Sequence, residues 1–134
     1  MRHYKHNILP IARDARVNMA TELIERVEAG HMIIGDFQRI AHVLFDDKPP
    51  EHAAIFLGGV LKRDKGKRES TGTAIKLIER AFPAWTWEVS KDKSASLYID
   101  GEEAWRTQQN GNAKSPGAAL ISAALKVRRA AWMT

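Results

Sequence analysis

The sequence contains no cysteine among its 134 residues. This absence excludes a disulfide framework, a thiolate nucleophile and any zinc or iron–sulfur site with cysteine ligands, and it is typical of proteins from a reducing compartment. No apolar run approaches the roughly 20 residues of a membrane helix, and the basic start is not followed by the apolar core of a signal peptide. We therefore expect a cytoplasmic protein that does not bind a membrane.

The sequence also lacks the residue spacing of a catalytic or metal site. Its five histidines form no H-x-x-x-H or H-E-x-x-H pattern; they are His3, His6, His31, His42 and His52. Two acidic pairs, Asp46-Asp47 and Glu102-Glu103, fall in predicted turns or loops, where acidic residues are ordinary. We predict a protein that is not an enzyme and that holds neither a metal nor a cofactor.

Acidic residues are too few to balance the basic ones, which leaves a formal net charge of +5 and an isoelectric point near 9.7. Two clusters hold most of the basic excess. The 62–68 cluster comprises Lys62, Arg63, Lys65, Lys67 and Arg68, and the 126–129 cluster comprises Lys126, Arg128 and Arg129. Clustered cations raise the affinity for phosphates by releasing counterions. Two interpretations remain open for both clusters, a solvated surface and a nucleic-acid contact.

Apolar residues at helical spacing predict two helices in the first third of the chain. One covers residues 11–29, where the apolar positions fall on one helical face. Gly30 follows it, and glycine closes a helix at little cost because it readily adopts the left-handed conformation. The second helix is predicted from Asp36 to Phe45, with Asp36 as its N-cap.

A third helix is predicted to begin at Pro50, because proline has no N–H to leave unbonded in a first helical turn. Its predicted inward side consists of Ala53, Phe56, Leu57, Val60 and Leu61. The pair Gly58-Gly59 costs about 1 kcal/mol per glycine relative to alanine, so we expect a close helix–helix contact there. The three helices form a predicted N-terminal helical region at 1–62, and the charged stretch 63–72, with its two glycines, is predicted to be a basic linker.

After the linker, a helix is predicted from about Thr73 to Ala81. After Pro83 the apolar residues recur at every second position, which is the period of a strand. Apolar residues alternate with polar ones in two predicted strands, at Trp85, Trp87 and Val89 and at Ala95, Leu97 and Ile99. Asp100-Gly101 is a hairpin turn signal, and a third strand is predicted from about Ala104 to Gln109, ended by Asn110-Gly111-Asn112. The pattern predicts an antiparallel meander with one apolar face.

Ser115 and Pro116 are predicted to open a last helix, as N-cap and first-turn residue. Its many alanines favour the helical state and let its backbone lie close over a sheet. The predicted class is therefore α+β, an N-terminal three-helix cluster followed by an α-β-β-β-α module at 73–134 with a three-stranded antiparallel sheet. The module is either separate from the N-terminal helices or packed with them as one domain.

Two stretches resemble the phage ABA sandwich domain family, Trp85-Thr86-Trp87-Glu88-Val89-Ser90 and the alanine-rich helix after Lys114-Ser115-Pro116. The resemblance covers residues 71–130, and the chain departs from the family at Gly117 and in its unmatched first half. It implies a small phage or prophage protein of the host cell cytosol, in a family of mostly unassigned function. It also implies helices on both faces of the sheet. The polar second face predicts at most partial cover on that side, which the N-terminal helices could supply.

The order helix, three antiparallel strands, helix is also that of a double-stranded-RNA-binding domain, which reads duplex shape through 2′-OH and phosphate contacts. Gly111 and Lys114 suit this comparison, although Lys114 alone stands for the basic cluster that such domains place at the start of the last helix. Tyr98 is predicted on the polar sheet face between Lys93 and Arg106. It is either a base-stacking residue or an ordinary strand residue.

Trp132, beside Met133, has two open interpretations, packing on the N-terminal helices and contact with a partner. We predict a non-enzymatic phage or prophage accessory protein that binds a host or phage macromolecule. A protein partner is favoured, and inhibition of host defence, as by anti-CRISPR proteins, is one option. The alternative is a nucleic-acid-binding protein that uses the 62–68 and 126–129 clusters.

Overall fold

The computed structural model describes residues 2–31, 34–64, 71–90, 94–99 and 109–133; within these ranges, the side chains of residues 2–13, 34, 50, 59–64, 71, 109 and 110 lie outside the description. The helices are α1 (Arg2–Ala29), α2 (Ile34–Leu44), α3 (Pro50–Asp64), α4 (Thr71–Ala81) and α5 (Pro116–Met133). The strands are β1 (Trp85–Val89), β2 (Ser94–Ile99) and β3 (Gln109–Asn112). This order confirms the predicted α+β class. Within these ranges no helix combines the length and the apolar character needed to span a bilayer.

Several helices extend beyond their predicted ends. The first begins at Arg2 instead of residue 11, the third continues to Asp64, and the fourth begins at Thr71. Two helices therefore enter the predicted 63–72 linker, of which residues 65–70 lie outside the described part of the chain. Lysine and arginine favour helix nearly as well as leucine does, so α3 continues through Lys62 and Arg63, past the point where its apolar periodicity stops.

Two helix ends follow the sequence predictions. Gly30 ends α1 with a φ of +77°, and its N–H donates to the Val27 carbonyl oxygen at 3.2 Å. This is the left-handed cap that glycine forms at low cost. At the start of α5 the Ser115 hydroxyl accepts a hydrogen bond from the Ala118 N–H at 3.1 Å. Ser115 is therefore the predicted N-cap, and Pro116 is the first helical residue.

Asp36 is not the N-cap of α2, and that prediction is wrong because the helix begins two residues earlier, at Ile34. The Asp36 carboxylate is fully buried in the first turn, where it accepts hydrogen bonds from Arg39 and, at 3.2 Å, from Arg26. Two guanidinium groups and the helix N-terminus offset the desolvation of this carboxylate. Because Arg26 belongs to α1, the residue ties α2 to α1.

Gly58 does not mark a close helix–helix contact. It is exposed, and a Cβ at this position would meet no atom of the described residues within 4 Å. The inward side of α3 is formed by buried Ala53 and Phe56 and by half-buried Leu57. The predicted contact is therefore wrong at Gly58, and nothing in the structure explains why a glycine stands there.

The sheet has the order β1-β2-β3 with antiparallel neighbours, as predicted. Its third strand includes Asn110-Gly111-Asn112, the residues that were expected to end it, and Gly111 lies opposite Ala95. That boundary prediction is wrong. The predicted strand start at Ala104 and the predicted turn at Asp100-Gly101 lie outside the described residues.

A glycine stands at position 111 in β3 because the strand lies directly against α5. A Cβ on Gly111 would stand 2.0 Å from the carbonyl oxygen of Ala119 and 2.7 Å from the backbone nitrogen of Ala123. Both alanines are fully buried, and their small side chains let the two backbones approach. The glycine therefore meets a packing requirement, although its asparagine neighbours make the tripeptide look like a turn.

The last helix lies at the centre of the protein. Its buried residues point in all directions around the helix axis; they are Gly117, Ala119, Leu120, Ile121, Ser122, Ala123, Ala124, Leu125 and Val127. A helix that is apolar all round is buried, and α5 contacts all three strands as well as α1, α2 and α4. One hydrophobic cluster joins residues of α1 to α4, β2 and α5, so the two halves of the chain share a core.

The second face of the sheet is polar. Thr86, Glu88, Ser96 and Tyr98 alternate with the core-facing residues, and Glu88 is exposed while the other three are half-buried. In the described part of the chain, α1 and α2 pack on α5 and on neighbouring helices, so these two helices do not supply there the cover of this face that the family resemblance implies.

Candidate binding site

The three cations of the 126–129 cluster do not form one basic surface. Lys126 donates a hydrogen bond to Glu28 at 2.9 Å, and Arg129 donates one to Thr21 at 3.2 Å. Arg128 bonds at the ends of two other helices. An external phosphate would have to compete with these intramolecular partners for the same charges.

Arg128 joins the C-terminal ends of α2 and α4 to α5. Its Nη2 donates to the Leu44 carbonyl at 2.7 Å, to Asp47 Oδ1 at 2.9 Å and to the Ala81 carbonyl at 3.3 Å. The guanidinium also lies over the Phe82 ring, 4.4 Å from the centroid. Burial lowers the pKa of Arg128, and the charge of Asp47 opposes this shift. The side chain satisfies two helix-terminal carbonyls that lack intrahelical donors.

A second polar cluster fastens α1 to α5. The fully buried Ser122 hydroxyl donates to Glu28 Oε2 at 2.6 Å, and Lys126 Nζ donates to the same oxygen at 2.9 Å. Burial by itself raises the pKa of Glu28, but the bonds from Ser122 and Lys126, the Lys126 charge and a backbone bond from Asn112 together lower it. Because the serine is closed off from solvent, this cluster is structural.

The lowered pKa of Glu28 makes part of the stability pH-dependent. Its stabilising bonds are fully present above the pKa of the unfolded chain, and they are lost as the pH falls through the lower pKa of the folded state. Replacing Glu28→Gln is expected to cost about 1 kcal/mol at pH 7, and the difference from wild type should shrink below about pH 4.5. Urea unfolding across this pH range measures the effect. Exposed Glu25→Gln is the control, and an equal pH response of the two variants would contradict the assignment.

The other basic residues that the sequence singled out are not brought together in the described part of the chain. Lys62 and Arg63 lie in the last turn of α3 with side chains outside the description, and Lys65, Lys67, Arg68 and Arg106 lie outside the described residues. Lys114 is exposed, and its Cδ lies 2.7 Å from the position of a Cβ on Gly30. It therefore covers the end of α1.

Tyr98 lies on the polar sheet face, where its hydroxyl donates to Glu88 Oε1 at 2.9 Å. Among the side chains that the structure describes on this face, Glu88 carries the only charge. A carboxylate beside the tyrosine repels a phosphate backbone. The arrangement favours the interpretation of Tyr98 as an ordinary strand residue.

Trp132 packs on the N-terminal helices, which is one of the two interpretations that the sequence left open, and contact with a partner stays a prediction. It packs on the edge of the core and remains half-exposed, and its Nε1 donates to Asp46 Oδ2 at 3.3 Å. Arg16 of α1 lies 5.9 Å from the tryptophan ring centroid and forms an ion pair with Asp46 at 3.5 Å. The tryptophan therefore links the ends of α5 and α2 to α1, with part of its surface in solvent.

A groove that was not among the sequence predictions lies beside the turn after α2. We call it the α3 groove; its volume is about 550 Å³, and its lining residues are Phe45, Lys48, His52, Ile55, Glu79, Arg80 and Pro83. Ile55 is 68% exposed, whereas Phe45 is buried. Phe45 packs against Phe56 with ring centroids 5.8 Å apart. The groove thus has a fixed apolar floor and an exposed apolar wall.

Arg80 places a positive charge beside this apolar surface. Its side chain is exposed, and its guanidinium carbon lies 5.9 Å from the centroid of the Phe56 ring. Among the residues that the structure describes, no carboxylate lies within ion-pairing distance of Arg80. Lys48, at the same groove, is engaged by Asp47 at 3.2 Å and by the Ala81 carbonyl at 3.3 Å. Arg80 is therefore the cation most available to a ligand.

The sequence did carry one signal of this groove. Ile55 is apolar but lies off the inward stripe of α3, next to Phe56, and a large apolar residue at such a position is exposed unless something else covers it. The groove does not resemble a metal site, since the described residues contain no group of three or more histidine, aspartate or glutamate side chains placed to hold an ion.

Comparisons with protein-family models, curated proteins and solved structures found no match to this chain. The resemblance to the phage ABA sandwich family therefore stays a prediction.

Proposed function

We propose that this protein acts by binding another protein, and that the α3 groove is the contact surface. The observation that carries the proposal is Ile55, whose side chain is 68% exposed on the wall of the groove. An apolar surface bordered by polar residues is typical of protein contacts. Covering an isoleucine of this kind contributes about 1.5–3 kcal/mol, which is enough for one anchor of an interface.

The structure beneath Ile55 is packed into the core. Phe45 and Phe56 lie in the core with their rings in contact, and they join the end of α2 to α3. A partner side chain that enters the groove meets a surface that is already formed, so little conformational entropy is lost from this protein on binding.

The described residues give less support to the nucleic-acid alternative. The cations of the 126–129 cluster are engaged within the protein, and the polar sheet face carries the negative charge of Glu88. The side chains of the 62–68 cluster lie outside the description, so nucleic-acid binding through this cluster stays a testable alternative.

The family resemblance supports a biological setting for the proposal. It implies a phage or prophage accessory protein, whose partner would be a host or phage protein in the cytosol. Inhibition of host defence, as by anti-CRISPR proteins, is one activity that such binding would serve.

Affinity capture from a bacterial lysate tests the proposed surface. Wild-type protein and the Ala54→Asp control should recover the same partner, because Ala54 is exposed on α3 and does not line the groove. Ile55→Asp should weaken recovery at least tenfold, since it places a charge where about 1.5–3 kcal/mol of apolar burial is expected.

Nuclease treatment of the lysate separates the two proposals. Recovery that survives nuclease and depends on Ile55 supports the protein contact. Recovery that is lost with nuclease, or that is equal for Ile55→Asp and Ala54→Asp, would overturn it, and a gel-shift titration at ~50 mM salt would then show whether nucleic acid binds where electrostatic affinity is largest.

A further inference from the structure

We infer that the partner offers the α3 groove a short acidic segment, in which an aspartate or glutamate pairs with Arg80 beside an apolar side chain that packs on Ile55. The inference rests on the proposed binding function and adds the chemistry of the partner. Its basis is the juxtaposition of an available guanidinium and an exposed isoleucine around one groove.

Arg80 is placed to receive a carboxylate. The contact of its guanidinium with the Phe56 ring, at 5.9 Å, holds the side chain over an aromatic surface. A guanidinium in that position keeps its N–H groups for a planar, two-point interaction with a carboxylate. Within the described part of the chain no carboxylate of the protein itself takes this place.

The charge around the groove is also positive. Lys48 and Arg80 line it together with a single carboxylate, that of Glu79. The negative charge of Asp47 is shared between two cations, because its Oδ1 accepts hydrogen bonds from both Lys48 and Arg128. An acidic segment is therefore the complement of this surface, and a basic one would be repelled.

The apolar lining favours a peptide segment over a phosphate group. Phe45, Ile55 and Pro83 contribute carbon surface that a phosphate would leave uncovered, whereas an aliphatic or aromatic side chain would fill it. A segment with acidic and apolar residues in close succession would pair with Arg80 and pack on the apolar floor of the groove at the same time.

A randomised 12-residue peptide library selected on the full chain tests the inference, with Ile55→Asp protein used to remove peptides that bind elsewhere. Selected peptides should be rich in aspartate and glutamate next to apolar residues. Measured by fluorescence polarisation, their affinity should fall at least tenfold when the acidic residues are replaced by amides. Arg80→Glu should cause a similar loss, while Lys76→Glu, an exposed charge reversal one turn earlier in α4 that does not line the groove, should change affinity less than threefold.

Three results would overturn the inference: a selected pool that is neutral or basic, equal effects of Arg80→Glu and Lys76→Glu, or no Ile55-dependent peptide at all. A single-stranded oligonucleotide that competes with the peptides for the Ile55 surface would also count against it. None of these outcomes removes the proposed function, because Ile55-dependent, nuclease-resistant capture of a protein is a separate measurement. Loss of that capture together with successful selection would instead remove the proposed function and leave only a peptide-binding groove.

Discussion

Gly111→Ala is expected to lower the free energy of unfolding by about 3 kcal/mol. The new methyl group would meet the carbonyl oxygen of Ala119 at 2.0 Å and the backbone nitrogen of Ala123 at 2.7 Å. Both are backbone atoms of the central helix, so neither moves aside as a flexible side chain would. The loss would be a large share of the roughly 5–15 kcal/mol that stabilises a typical domain, and urea unfolding followed by tryptophan fluorescence measures it.

Gly58→Ala provides the matched control with the opposite sign. It makes the same chemical change in a helix interior where the methyl group meets no atom of the described residues within 4 Å. Alanine should stabilise α3 there by about 0.5–1 kcal/mol through its higher helix propensity and the smaller freedom of the unfolded chain. Equal stabilities of the two variants would show that β3 does not lie against α5 as described.

The second large effect is expected from Arg128→Met, which should cost about 3 kcal/mol. Methionine keeps an apolar chain near Phe82 but removes the donors that serve the Leu44 and Ala81 carbonyls. The Leu44 carbonyl, at the end of α2, accepts two hydrogen bonds from Arg128, at 3.1 and 2.7 Å. Chemical denaturation reports the loss.

Arg129→Met is the neighbouring control for this variant. Among the described residues, the Arg129 side chain has one hydrogen bond, to Thr21 at 3.2 Å, and its loss should cost no more than about 1 kcal/mol. Arg128→Lys should remain clearly below wild type, because one ammonium group cannot reproduce the fork that spans two helix ends. If the methionine variants at 128 and 129 were equally stable, Arg128 would not be the joint between α2, α4 and α5.

The sequence predicted the parts of the fold that depend on local chemistry. Gly30 and Pro50 act through their own backbones, and the alternation around Trp87 needs only the period of a strand. Asp36 and Gly111 were misread because their roles depend on distant residues. The first is held by Arg26 on another helix, and the second is required by the backbone of α5.

The candidate site was harder to predict for the same reason. Lys126, Arg128 and Arg129 are neighbours in sequence, but successive helical positions are about 100° apart, so the three side chains leave α5 in different directions and find separate partners. The α3 groove instead combines Ile55 with Arg80, which come from two helices and share no local pattern. Only the position of Ile55 off the inward stripe gave a local indication.

The central position of α5 has a consequence for how the chain folds. The ribosome synthesises α1 to α4 and the strands before this helix. The hydrogen bonds from Lys126 to Glu28 and from Arg129 to Thr21 join residues that are 98 and 108 positions apart in the sequence. Contacts of such long range slow folding, because the intervening chain loses its freedom before the contacts repay the cost. Until α5 emerges, the apolar sides of α1, α2 and β2 lack this helix as a packing partner. During that interval chaperone binding and aggregation compete with folding.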